Sequence, residues 1–275
     1  MGALEAMDSW DAPGARAAVV GRGGQGSAEV LEVRGDAALP GEWASVTKLA
    51  TALAVLVAVE EEAIDLDELA GPPGSTVRHL LAHTSGLAFD DDRILGQPGR
   101  QRIYSNVGFE VLAALVGERA GMPFADYLTE GVLSPLDMSA AYLDGSPATG
   151  LVGPLDDLIR LAKELLEPTL VSAVTLENAT AVAFPGLGGV LPGFGRHEPL
   201  DWGLGFEVRS GKSPHWTGRH NSPGTFGHFG RSGSVLWVDP GPGLAVAVLS
   251  GRDFGPWAKE AWPALADAVL AENAS

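Results

Sequence analysis

The sequence predicts an α/β (α+β) fold in which both ends of the chain build one antiparallel sheet flanked by helices, with an inserted all-α lobe between them. Three observations carry this. Short β-rich runs stand near both ends, helical patterns fill most of residues 65–180, and no internal repeat or long linker divides the chain. With 275 residues the chain can bury a large core shared by two lobes. Residues 1–62 and 184–275 are accordingly expected to form an α/β sandwich lobe, and residues 63–183 a helical lobe.

The elements follow in order. "AAVVGR" (17–22) and "AEVLEVR" (28–34) read as a hairpin joined by glycines. The joining stretch, Gly21-Arg22-Gly23-Gly24-Gln25-Gly26, has the spacing of a dinucleotide loop, but a strand follows it where that motif needs a helix, so it reads as a turn. From Ala44 to Glu62 the pattern is helical and apolar on every face until "EEE", which predicts a buried central helix. "VRHLLAH", "GFEVLAALVGERAG", "FADYLTEGVL" and "LDDLIRLAKELL" then give helices separated by Pro and Gly. Residues 184–233 turn rich in Gly, Pro, Trp and His, as expected of loops and an edge strand beside a site. "SVLWVDPGPGLAVAVLSG" reads as two strands about a turn, and residues 256–273 as a closing amphipathic helix.

A net charge of −17 and a pI near 4.6, with no basic stripe, argue against nucleic-acid or anionic-membrane partners. The absence of cysteine removes disulfides, thiol nucleophiles and cysteine-ligated zinc. The longest apolar run, Leu49 to Val59, is too short to span a bilayer, and the N-terminus has no basic stretch leading into an apolar one. A cytoplasmic protein without a signal peptide is the expectation.

Ser45-Val46-Thr47-Lys48 carries the chemistry. Three helical residues advance about 4.5 Å and nearly close a turn, which stacks serine and lysine on one face. One of only four lysines thus heads an apolar helix, where desolvation lowers its pKa until it can accept the serine proton. That local effect is expected to outweigh the acidic net charge, which salt screens. Tyr104-Ser105-Asn106 adds a phenol able to relay protons and an amide able to orient a substrate carbonyl or the lysine. Gly227-His228-Phe229-Gly230 offers small residues on a strand edge where a ligand can approach backbone N–H groups. His79 and His83 have the spacing of a zinc pair, but no third ligand stands nearby, and packing is the favoured reading.

Together these stretches resemble the serine β-lactamase-like superfamily, in its class C β-lactamase, D,D-peptidase and esterase branch. The resemblance runs from about residue 43 to 251 and includes "ASVTKLATAL", "TVRHLLAHTSGL", "YSNVGFEVLAALVGERAGMPFADYL" and "FGHFGRSGSVLWVDPGPGLAVAVLSG". It implies a β-lactamase/transpeptidase-like fold with Ser45 as nucleophile, Lys48 as base, Tyr104 as proton relay and Asn106 as a positioning group. His228 and Gly230 would form the third motif, and the N–H groups of Ser45 and Arg231 the oxyanion hole. "HTSGL" would be a structural signature. Histidine stands where β-lactamases usually carry a lysine, and Phe229 replaces a hydroxyl-bearing neighbour.

The expected function is a cofactor-free, metal-free serine hydrolase acting through an acyl-enzyme on a small-molecule ester or amide. Trp202, Trp216 and Phe226 are expected to wall an apolar acyl pocket. The alternatives are β-lactamase or D-amino-acid peptidase activity, a catalytically silent binding protein on the same fold, and a metallohydrolase built on His79 and His83. The sequence leaves the oligomeric state open.

Overall fold

A computed structural model describes residues 2–23 and 27–273. Gly24, Gln25 and Gly26, which the sequence assigns to the first hairpin turn, lie outside the described residues. A 3-10 turn at Ala3–Ser9 leads into β1 (Arg16–Arg22), β2 (Ala28–Arg34) and the short β3 (Pro40–Glu42). A second 3-10 turn, Ala44–Val46, runs into α1 (Thr47–Glu60), followed by α2 (Val77–Leu81), α3 (Asn106–Ala120) and α4 (Phe124–Leu128). A π-helical turn at Thr129–Leu133 extends α4. Next come β4 (Tyr142–Leu143), β5 (Leu151–Pro154), α5 (Leu155–Leu166), α6 (Ala173–Thr180) and the hairpin β6 (Gly189–Leu191) and β7 (Gly195–His197). The chain closes with β8 (Glu207–Val208), β9 (Phe226–Phe229), β10 (Ser234–Asp239), β11 (Leu244–Leu249) and α7 (Pro256–Glu272).

The main sheet has the order β2-β1-β11-β10-β9-β8, and each pairing in it is antiparallel. Its central strands do not alternate apolar with polar, because both faces are covered. The strand period of two instead divides them between two cores. Ala18, Val20, Leu236, Val238, Ala245 and Ala247 join α1 and α5 on one face. Ala17, Val19, Val235, Trp237, Val246 and Val248 join α7 and the Ala3–Ser9 turn on the other. A one-residue slip in any of these strands would exchange the two sets.

Helix α1 is buried around nearly its whole circumference, as an apolar run without a polar face requires, and stops where the acidic residues 60–62 reach solvent. Helix α3 starts with the Ser105 hydroxyl accepting from the Gly108 N–H at 3.1 Å, and ends at Gly121 with φ +69°.

One boundary drawn from the sequence departs from the packing. Helix α5 falls within residues 63–183, yet it lies against β1, β10 and β11 of the main sheet. Its strong amphipathic pattern is the reason: Leu155, Leu158, Leu161, Ala162 and Leu165 are buried while Asp156 reaches solvent, and the sheet face offers the area this stripe needs. The same stretch also supplies β4 and β5, which pair with β3 in a second small sheet.

Beside the sheet edge, Glu207 of β8 is fully buried and accepts from His215 Nε2 at 2.9 Å, from Trp216 Nε1 at 2.9 Å and from Lys212 Nζ. On its other side, His215 Nδ1 lies 2.7 Å from Thr217 Oγ1, which orients the ring toward the carboxylate. Burial would raise the Glu207 pKa, but the charges of His215 and Lys212 and their hydrogen bonds hold it well below the usual carboxylate range.

Candidate active site

Ser45 lies half-buried in the 3-10 turn just before α1, with Lys48 one turn on. The residue before it, Ala44, has φ +44°, a left-handed conformation that a side chain disfavours and that surrounding structure must hold. It is held from two sides. Ser234 Oγ donates to the Trp43 carbonyl at 2.6 Å and Ser232 Oγ to the Glu42 carbonyl at 2.7 Å, while Thr47 Oγ1 accepts the Leu151 N–H at 2.9 Å.

Lys48 is completely buried. Its Nζ donates to Asn106 Oδ1 at 2.6 Å and to the Ala148 carbonyl at 2.9 Å, and sits 4.8 Å from the centre of the Tyr104 ring. Burial lowers its pKa to about 7, against the opposing pull of Asp90 and Glu110. Desolvation therefore outweighs the acidic surroundings, as the sequence implies. The two acceptors account for both N–H bonds of a neutral amine and leave its lone pair unused. A lysine in this state can take up a proton near neutral pH.

Tyr104 and His228 are also buried, with Tyr104 Oη 3.3 Å from His228 Nε2. His228 Nδ1 lies 2.6 Å from the Phe229 carbonyl, which can only accept. The ring proton is therefore on Nδ1, Nε2 is bare, and the Tyr104 hydroxyl donates to it. Burial, seconded by the Lys48 charge, lowers the His228 pKa to about 3, so the imidazole is neutral throughout the physiological range. Burial likewise raises the Tyr104 pKa, with Ser45 acting in the opposite direction. With its proton directed at His228, the phenol oxygen has lone pairs left to accept one.

Gly230 follows β9 and donates its N–H to the Ser234 carbonyl at 2.9 Å. Arg231 is exposed beside it. Strand β8 pairs only with Phe226 and Gly227 of β9, so its ladder ends before His228. Among the seven residues singled out from sequence, all are brought to one place. Ser45 and Arg231 both line two neighbouring cavities. One, about 490 Å³, is polar and carries Asp90, Asn106, Asp144, Arg231 and Asp253. The other, about 220 Å³, is walled by Phe89, Leu191, Trp202, Phe229 and Phe254, with Tyr104 and His228 also lining it.

One expectation, the walls of the apolar cavity, is corrected. Trp216 packs behind Phe229, ring centres 5.7 Å apart, and Phe226 packs on Phe206 in the opposite core, so neither lines the apolar cavity; Phe254 and Leu191 do. The spacing of His79 and His83, for which packing is the favoured reading, does not place them on one helix face. Helix α2 ends at Leu81, His83 has φ +56°, and no group of three or more potential ligands is clustered among the described residues.

A model of the family described as Beta-lactamase matches residues 4–270, nearly the whole chain. The chain belongs to the Beta-lactamase family. The fold is that of its serine members, with an antiparallel sheet flanked by helices. A solved structure of a beta-lactamase from Mycobacterium bovis is 54% identical and superposes with a TM-score of 0.95, covering 98% of this chain and 99% of that one. The structure of EstCE1, described as a hydrolase with promiscuous acyltransferase activity, is 18% identical with a TM-score of 0.77, over 97% of this chain and 96% of that one. Penicillin-binding protein 4* of Bacillus subtilis is 28% identical over 131 residues, a match that spans 36% of this chain and 29% of that protein's length.

Around this candidate site His83 takes the packing role expected from the sequence, while Asp90 escapes a reading of the sequence. The His83 ring, inside "HTSGL", accepts the Ser105 N–H at 3.1 Å and packs 4.6 Å from the Tyr104 ring, which fixes the tyrosine. Asp90 accepts from Asn106 Nδ2 at 2.7 Å. Nothing in local spacing ties residues 83 and 90 to 104–106; the hydrogen bond from the Asn106 N–H to the Phe89 carbonyl, 2.8 Å long, does so in space.

Proposed function

We propose that the protein is a serine hydrolase acting through an acyl-enzyme on Ser45, with small esters or amides as substrates and esters of compact apolar acids preferred. The observation that carries this reading is the convergence at Ser45 of a buried, readily neutral Lys48 and a Tyr104 hydroxyl whose proton faces His228. Ser45 Oγ attacks the substrate carbonyl carbon while the Lys48–Tyr104 pair takes its proton. Tyr104 enters as a neutral relay, since burial disfavours its phenolate. The N–H groups of Ser45 and Arg231 receive the developing oxyanion. Collapse breaks the bond to the leaving alcohol or amine, which departs with the proton, and water then repeats the sequence to release the acid and restore Ser45.

The substrate preference rests on the third motif. A neutral His228 provides no charge for a substrate carboxylate, and the loss of one charge-assisted hydrogen bond is worth about 1.5–3 kcal/mol. The apolar cavity next to Ser45 suits a small acyl chain. EstCE1, a hydrolase of the same fold, agrees with an ester reading, whereas the M. bovis relative named a beta-lactamase favours β-lactam hydrolysis as the second reading. A comparison of kcat/KM for a p-nitrophenyl ester of a short acyl chain and for a chromogenic cephalosporin separates them. The expected result is the higher value for the ester; a higher value for the cephalosporin overturns the preference. Absence of any covalent fluorophosphonate adduct at Ser45 would overturn the hydrolase itself.

A further inference from the structure

We propose that Asp90 is a positioning residue for the base: by accepting from Asn106 Nδ2 it fixes which end of that amide faces Lys48, and so which position on Nζ stays open toward Ser45. The inference rests on the serine-hydrolase reading above and extends it to a residue outside the recognised motifs.

The chain of contacts is short. Asp90 Oδ1 accepts from Asn106 Nδ2 at 2.7 Å, and Asn106 Oδ1 accepts from Lys48 Nζ at 2.6 Å. A carboxylate only accepts, so the amide nitrogen must point to Asp90 and the amide oxygen to Lys48. With Ala148 O taking the second N–H of the amine, the lone pair has no competitor. Were the amide reversed, its NH₂ would donate to that lone pair and occupy the base. An asparagine alone has no such preference, because its two ends are of nearly equal size. The loop carrying Asp90 is itself fastened to the start of α3, through Asn106 N–H to Phe89 O at 2.8 Å and Ser105 Oγ to Ala88 O at 2.6 Å.

The carboxylate acts on Lys48 by charge as well as by geometry. The groups that bear on Nζ are Asp90 from its loop, Glu110 from α3, and the neutral His83, Tyr104 and His228. Asp90 stabilises the ammonium, which moderates a desolvation that would otherwise push the lysine further down. Removing the charge lowers the Lys48 pKa; freeing the amide lowers the fraction of sites with an open lone pair. A residue serving only the fold would do neither.

The test uses Asp90→Asn and Asp90→Glu in the whole protein. Asp90 is exposed and both changes are nearly isosteric or conservative, so folding is preserved. Two readouts are needed. The first is the titration of Lys48 Nζ by ¹⁵N NMR, assigned with Lys48→Ala, which requires no substrate. The second is the pH profile of kcat/KM for a p-nitrophenyl ester. Asp90→Asn is expected to move the Lys48 midpoint and the acidic limb down together by about half a unit, as one partly screened charge does. The plateau should fall about tenfold or more, and Asp90→Glu should restore most of both. An unmoved Lys48 midpoint with an unchanged plateau overturns the proposal. If the wild-type protein neither turns over an ester nor takes a fluorophosphonate on Ser45, the hydrolase reading has failed instead; the NMR shift then still decides whether Asp90 governs Lys48.

Discussion

Gly230 stands against Ala44 so closely that a β-carbon on the glycine would lie 2.8 Å from the Ala44 Cβ and 2.7 Å from the Trp43 carbonyl oxygen. Both are tighter than carbon or oxygen contacts allow, and both neighbours are rigid. The third motif thus owes its glycine to the turn that carries the nucleophile: the end of β9 presses on the backbone just before Ser45. Gly230→Ala should therefore push that turn away from its place, lowering kcat by at least about tenfold through misalignment of the serine. A thermal melt within a few degrees of wild type, with fluorophosphonate labelling slowed in parallel with kcat, is the expected pair of results. Normal labelling would show that the contact is merely tight.

Ser45→Ala should abolish turnover with the fold intact, because it removes one hydroxyl without opening a cavity. Peptide mapping of fluorophosphonate-treated wild type should find the adduct on Ser45 and on neither Ser85 nor Ser105, which are buried and, in the case of Ser105, spent on capping α3. An adduct on another serine would remove Ser45 from the mechanism.

For the base, the sign of the pH dependence follows from the neutral lysine being the reactive form. Activity should rise through a midpoint near pH 7, where Lys48 loses its proton, and stay level above it until Tyr104, whose pKa is raised, begins to ionise. The His228 pKa of about 3 keeps that residue out of this limb. Lys48→Ala and Tyr104→Phe should each cost on the order of 10²–10⁴ in kcat, and together much less than the product, since they share one proton. Full additivity would mean that they act separately.

Glu207→Gln tests the buried cluster beside β8. The change leaves Lys212 charged and buried without its partner, which typically costs about 3–5 kcal/mol. Urea denaturation should show a loss of that order, with the effect on KM for apolar esters exceeding that on kcat, because Trp216 backs Phe229 of the acyl cavity. A stability loss below about 1 kcal/mol would indicate that Lys212 sheds its proton instead.

Much of the site was legible because its chemistry is local. Ser45 and Lys48 are one turn apart, and Tyr104, Ser105 and Asn106 are consecutive, so spacing groups each set; that the two sets meet was implied only by the resemblance of their ordered motifs to a known family. The strand–helix–strand arrangement was legible from period, including the buried α1. What escaped the sequence depends on distant partners. Asp90 looks like one of three solvated aspartates until Asn106 is brought to it; α5 reads as another helix of the insertion until the sheet face appears; Trp216 and Phe226 are apolar in any reading, and only strand facing decides which cavity each serves.

The pairing of β1 with β11 makes the main sheet depend on two distant parts of the chain. Arg16 meets Leu249 and Gly21 meets Leu244, so β1 gains its inner neighbour only when the last strand of the described residues packs against it. The turn bearing Ser45 waits as well, because Ser232 and Ser234 hold it through the Glu42 and Trp43 carbonyls. Helices α1 and α3 can condense on local contacts ahead of the sheet. Such long-range closure makes for slow folding.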